Sequence, residues 1–115
     1  METSYRFCQE KMMPGLSFSA WVNQQLVGCL FTSVAKLERG QELIIEILVI
    51  ENHYRNQGIG TKLMQLAEKI ATGEKLVGIR LLSNPRLRSH RWYHSFGLKS
   101  SGWVELVKTF PSADN

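Results

Sequence analysis

The hydrophobic period of this chain changes around residue 55, and that change limits the folds open to it. Leu43–Ile50 is an apolar run interrupted only by Glu46, which reads as a central strand apolar on both faces. From Gly58 to Thr72 the apolar residues Ile59, Leu63, Leu66 and Ile70 recur at helical spacing, and Gly73 is placed to end the helix as its C′ residue. Leu76–Leu82 then returns to a strand pattern. Strand, helix and strand in this order make a βαβ unit, which demands a parallel pair and a crossover.

The flanking segments complete a mixed sheet. Leu16–Asn23 alternates apolar and polar residues around Phe18, Ala20 and Val22, and Asn23-Gln24-Gln25 reads as a turn into a second strand, Leu26–Ala35. A turn at Glu38–Gln41 leads to the central strand. After the βαβ unit, Asn84 as N-cap and Pro85 at the first helical position predict a helix running to about Phe96 and stopping at Gly97. Trp103–Thr109 is expected to be the final strand, with the last five residues loose. Thr3–Met13 has room for one short helix at most. The expected organisation is α/β, a single domain over residues 1–115 with a central mixed sheet flanked by helices. It comprises a variable segment 1–15, a three-strand antiparallel meander 16–50, a loop, helix and strand over 51–82, and a last helix, strand and tail over 83–115.

Composition narrows the class. With 43% hydrophobic and 21% charged residues and no repeat, the chain is neither disordered nor fibrous. No apolar run approaches the roughly 20 residues of a membrane span, and Met1–Glu10 lacks a secretory apolar stretch. Two cysteines, Cys8 and Cys29, have no metal-ligand spacing, so a reduced, cytoplasmic protein is expected. Charge is unevenly divided: residues 1–54 carry 4 basic and 6 acidic side chains, whereas residues 55–115 carry 10 basic and 4 acidic. A basic second half suits an anionic partner such as a phosphorylated cofactor.

Arg55-Asn56-Gln57-Gly58-Ile59-Gly60 lies between the central strand and the amphipathic helix. Such a junction offers free N–H groups and the positive end of a helix dipole to an anion, and two glycines allow a phosphate close to the backbone. A dinucleotide fingerprint fails at Leu63, and no G-K-[ST] closes a P-loop. On these residues alone, an anion site and a tight turn without a ligand both stay open.

A wider pattern brings in a family. The loop resembles the R/Q-x-x-G-x-G/A cofactor motif of the GNAT superfamily of N-acetyltransferases at Arg55, Gly58 and Gly60. Ile50–Arg55 is similar to the family's V-x-P-E-Y-R approach, with Asn52 and His53 in place of Pro-Glu. Arg86–Leu98 resembles its R-x-x-A-H-x-F-Y-x-x-x-G-F helix end, with Ser89 for Ala and Leu98 for Phe. The resemblance covers roughly residues 16–107 and implies an acyl-CoA N-acyltransferase fold in which acetyl-CoA is the acetyl donor. It implies that the backbone of Leu48, Val49 and Ile50 holds pantetheine, that Gln57, Gly58, Ile59, Gly60 and Thr61 hold pyrophosphate, and that Arg55 and Asn56 belong to the same loop. A backbone N–H near Leu48 or Ile50 would polarise the thioester carbonyl. Arg86, Arg88 and Arg91 make the last helix basic, either as a solvated face or as a contact for the 3′-phosphate or adenine end of the cofactor, and Asn84 is grouped with Arg86 among the expected cofactor-binding residues. Most members open with a strand and two helices, which here are expected to be reduced or missing.

The resemblance implies a role for Tyr93 in protonating the departing thiolate, since a phenol keeps its proton at neutral pH. The other reading of Trp92, Tyr93 and Phe96 is a packing stripe. Glu46 is the candidate base for a neutral amine: it interrupts an apolar strand, is expected to share side-chain parity with Leu48 and Ile50, and burial there would favour its neutral form. It also suits a structural ion pair. Glu42 is expected to be solvated. His90 and His94 are four apart, but without a third ligand no metal is expected.

The leading expectation is an N-acetyltransferase moving an acetyl group from acetyl-CoA to a small-molecule or protein amine by direct attack in a ternary complex. The alternative is a non-catalytic acyl-CoA-binding sensor or subunit of the same fold. A nucleic-acid-binding domain ranks last, for want of a recognition motif. No membrane partner is expected, and an incomplete sheet edge favours a homodimer.

Overall fold

The computed structural model describes residues 4–12 and 15–111, in two compact units, Met1–Ser83 and Asn84–Asn115. The first unit is a five-stranded mixed sheet carrying one helix on a face. Its strands are β1 (Arg6–Met12), β2 (Gly15–Val22), β3 (Gln25–Leu37), β4 (Gly40–Ile50) and β5 (Gly78–Arg80), in the spatial order β1-β2-β3-β4-β5. The first four form an antiparallel meander, and β5 pairs parallel to β4 after the crossover helix α1 (Ile59–Gly73).

Binary patterning explains why α1 packs where it does. Its buried residues Ile59, Leu63, Met64, Ala67 and Ala71 form one stripe, and the sheet beneath presents Phe18, Ala20, Leu30, Leu43 and Ile45, all buried. Gly28 lets the first turn of α1 approach the sheet: a Cβ there would stand 3.0 Å from Ile50 Cδ1 and 3.2 Å from Ile59 Cγ2. A larger residue there would require the Ile50 and Ile59 side chains to give way by a few tenths of an ångström.

The structure corrects the sequence reading at the first strand. Where a short helix or nothing was expected, Arg6–Met12 is a strand paired with β2 from Arg6↔Trp21 to Met12↔Gly15. Thr3 and Met13 lie outside the described residues. Its charged residues suit an edge strand, and Arg6 lies 5.4 Å over the Trp21 ring.

The second unit contains α2 (Arg88–Ser95). The expected cap is displaced. Asn84 Oδ1 accepts from the Arg86 N–H at 3.0 Å and closes a turn, while the helix begins four residues later with Leu87 as its N-cap. Gly97, at φ +89°, ends the segment as expected. The expected strand Trp103–Thr109 is not formed. A strand exists through its ladder, and no other strand occurs among the described residues of this unit; Trp103, Val104, Leu106 and Val107 are 71–89% exposed. The expected loose end falls mostly on residues 112–115, outside the described residues.

Candidate active site

The loop from β4 into α1 is built by local hydrogen bonds. The Glu51 N–H donates to Val27 O at 2.8 Å and fixes the exit from β4. A single 3-10 turn, Asn52–Tyr54, follows, capped by the Glu51 carboxylate, which accepts from the His53 N–H at 2.9 Å and lies 3.1 Å from His53 Nδ1. The hydrogen bond with the His53 side chain is the main reason the Glu51 carboxyl ionises below its ordinary range. Arg55 folds back, its Nε donating to Ile50 O at 3.3 Å.

Beyond this turn the backbone turns left-handed at two positions. Asn56 (φ +62°) and Gly58 (φ +83°) are left-handed on either side of Gln57, an alternation found in backbone anion nests. Gly58 is the N-cap of α1, with no side-chain cap, and no acidic residue stands in the helix's first turn. A Cβ at Gly58 would meet nothing within 4 Å, so the approach to the helix end is open. The orphan N–H groups and the positive helix end are therefore not satisfied by a side-chain cap or a first-turn acid. Of the expected loop residues, Ile59 turns its side chain into the core at 2% exposure, which leaves only its main chain for a ligand.

The central strand parts from its parallel neighbour. β4 pairs β5 only from Glu42↔Gly78 to Ile44↔Arg80, so the strand from Ile45 to Ile50 continues without β5 beside it. Leu48, Val49 and Ile50, the residues expected to hold pantetheine, lie in this stretch and pair on the other side with Leu30, Cys29 and Gly28.

A β-bulge overturns the parity expected for Glu46. The register runs Phe31↔Ile47 and then Thr32↔Ile45, so Glu46 is the extra residue. It projects away from the face of Leu48 and Ile50. It is exposed, and its Oε1 accepts from Ser33 Oγ at 2.6 Å. Glu42 also departs from expectation. It is 8% exposed and paired with Arg80 Nη2 at 3.2 Å.

In the second unit Tyr93 is half-buried on α2, its ring edge-on to Trp92 at 5.2 Å. Burial pushes its phenol above the ordinary value of 10.0. Trp92 also meets Phe96 edge-on at 4.6 Å, so the aromatic stripe is partly a packing cluster. Arg86 is exposed beside the Asn84 turn. His90 and His94 approach with Nε2 atoms 3.1 Å apart, and no group of three metal-ligating side chains occurs among the described residues.

Sequence reasoning missed Tyr5, whose hydroxyl donates to Gln57 Oε1. No motif marks it; only the pairing of β1 brings residue 5 to the loop.

Comparison with known proteins decides the family. A model described as the acetyltransferase (GNAT) family matches residues 2–98. The chain belongs to that family. No curated protein matches the chain. Among solved structures, the GNAT chain is similar to an aminoglycoside acetyltransferase from an uncultured soil metagenomic sample, at 16% identity and a TM-score of 0.71, covering 83% of this chain and 66% of that one. It thus spans just under two thirds of that relative's length. It is similar to a ribosomal-protein-alanine N-acetyltransferase from Brucella melitensis biovar Abortus 2308, at 16% identity and a TM-score of 0.69, covering 84% and 70%. It also resembles AAC(6')-Iy in complex with the bisubstrate analog CoA-S-monomethyl-acetylneamine, at 12% identity and a TM-score of 0.77, covering 95% and 100%. These likenesses establish the mixed-sheet GNAT fold.

Proposed function

We propose that this GNAT protein is an N-acetyltransferase that moves an acetyl group from acetyl-CoA to an amine by direct attack in a ternary complex. The observation that carries the reading is the open, uncapped N-terminus of α1, reached through left-handed Asn56 and Gly58 beside a β4 that has left its parallel neighbour. Those features fit a ligand with a pyrophosphate and an extended arm. Main-chain N–H groups of Gln57 to Thr61 would take the pyrophosphate, with Arg55 and Asn56 shaping the loop, and the main chain of Leu48, Val49 and Ile50 would take the arm. Asn84 and Arg86 are assigned to the nucleotide end.

When bound, acetyl-CoA supplies a thioester whose carbonyl carbon forms the new C–N bond as the C–S bond breaks. A β4 N–H near Leu48 or Ile50 stabilises charge developing on the carbonyl oxygen. The Tyr93 hydroxyl, whose burial holds its proton firmly, is assigned to donate it to the departing sulfur. Glu46 is assigned to the acceptor side. Its exposure and its place on the bulge suit it to attract a cationic amine and accept a proton from it directly or through water, in place of the buried base expected from sequence.

The names of the structural neighbours, an aminoglycoside acetyltransferase and a ribosomal-protein-alanine N-acetyltransferase, suggest the acceptor panel to try. The protein is further proposed to work in the cytoplasm, without membrane or nucleic-acid partners, and as a homodimer. Cys8 and Cys29 are free thiols on one sheet face, each opposite Ser19, a placement that suits a reducing compartment. Among the described residues no helix is long and apolar enough to cross a membrane.

The test is acetyl-CoA-dependent release of free thiol across a panel of polyamines, aminoglycosides and N-terminal alanyl peptides, with products weighed by mass spectrometry. The reading expects thiol release coupled to one acetyl group added to one amine class. Tight acetyl-CoA binding with no acetylated product from any amine favours the sensor or subunit reading instead.

A further inference from the structure

Four strand ends meet beside the loop. Arg6 pairs with Trp21, Trp21 with Leu26, and Gly28 with Ile50, so the start of β1, the end of β2, the start of β3 and the end of β4 share one end of the sheet. Tyr5 stands one residue before β1 and is half-buried there. Its hydroxyl donates to Gln57 Oε1, 52 positions away in sequence. Gln57 Nε2 donates in turn to His53 O at 3.3 Å. His53 is held by Glu51 through its main-chain N–H at 2.9 Å and its ring nitrogen at 3.1 Å, and the Glu51 N–H is anchored on Val27 O of β3.

We infer that Tyr5 is a positioning residue for the cofactor loop, acting through Gln57. A glutamine in a solvated loop ordinarily samples many rotamers. Here its oxygen accepts from Tyr5 and its nitrogen donates to His53, so both ends of the amide are fixed. Gln57 lies between the two left-handed residues, Asn56 and Gly58, and fixing its side chain fixes the backbone that carries the N–H groups facing an anion. Preorganising these groups in the free protein removes ordering from the cost of binding. The inference rests on the acetyl-CoA reading of the loop. It adds that the N-terminal edge strand takes part in cofactor binding, although its residues carry no loop motif.

Tyr5→Phe removes only the donor. A single exposed hydrogen bond is a modest contributor, so affinity for acetyl-CoA is expected to fall about three- to tenfold. Gln57→Ala is expected to give a similar loss, and the double variant no more than the larger single one, since both act through one contact. Calorimetric titration of the four proteins with acetyl-CoA and with pantetheine, which lacks the pyrophosphate, reads the effect. Pantetheine affinity is expected to be unchanged, and the melting temperature of unliganded Tyr5→Phe to match the wild type. Equal acetyl-CoA affinity in wild type and Tyr5→Phe overturns the inference alone. Additive losses in the double variant, equal losses for pantetheine, or a loss matched by a lowered melting temperature do so too, by showing that Tyr5 merely staples β1. Failure of the folded wild type to bind acetyl-CoA overturns the loop reading and this inference with it.

Discussion

Tyr93 carries two duties that substitution separates. Its ring packs edge-on against Trp92, which a phenylalanine preserves, while its hydroxyl is the proposed proton donor. Tyr93→Phe is therefore expected to lower kcat by about 10²-fold or more, with acetyl-CoA affinity within a factor of two, since a positioned acid contributes at least that much. Steady-state kinetics on an accepted amine checks it, and equal losses in kcat and affinity would instead mark a packing residue. The pH dependence has a definite sign. Because burial raises the phenol above 10.0, the neutral form is favoured by folding. The associated stability is complete below that value and is lost as pH rises through the folded one. Ultraviolet titration of the wild type against Tyr93→Phe is expected to show one phenol ionising above the ordinary range.

At the scale of elements, the sheet shows what periodicity can and cannot convey. The βαβ unit was legible because α1 keeps one apolar stripe and β4 one apolar run, and both signals are local. The bulge at Glu46 was not, because it is set by the partner strand: Phe31 and Thr32 are adjacent, yet they oppose Ile47 and Ile45. Counting parity along β4 alone put Glu46 on the wrong face. Glu42 was misread as solvated for a related reason, since its partner Arg80 lies 38 residues away on β5. The pair leads to a prediction. Arg80→Met leaves an 8%-exposed carboxylate without its cation and is expected to destabilise the fold by about 1–3 kcal/mol, measurable by urea denaturation. The pairing of Arg6–Met12 is not legible because its charged residues show no strand alternation, and only the ladder with β2 makes them an edge strand. Trp103–Thr109 failed the other way: its residues favour strands, yet a strand requires a partner edge.

For the whole molecule, the first unit brings the acidic bulge of β4, the end of that strand and the uncapped start of α1 together along one element and its loop. The spacing of Arg55, Gly58 and Gly60 was readable as a motif because glycine spacing is a backbone requirement, and at Gly58 that requirement is the left-handed backbone, with open space where a Cβ would stand. The acceptor side was hardly readable. No motif in the sequence marks a residue that would hold the amine, and Glu46, the one candidate, is placed by the pairing of β4 with β3. The proposed function requires that the start of α1 bind the pyrophosphate of acetyl-CoA. Isothermal titration of acetyl-CoA into the wild type and Gly58→Val, side by side, is the decisive measurement. Saturable one-to-one binding to the wild type and none to the variant is expected, with a thermal melt showing that the variant remains folded. A folded wild type that takes up no acetyl-CoA, or equal affinity in the two proteins, would contradict it.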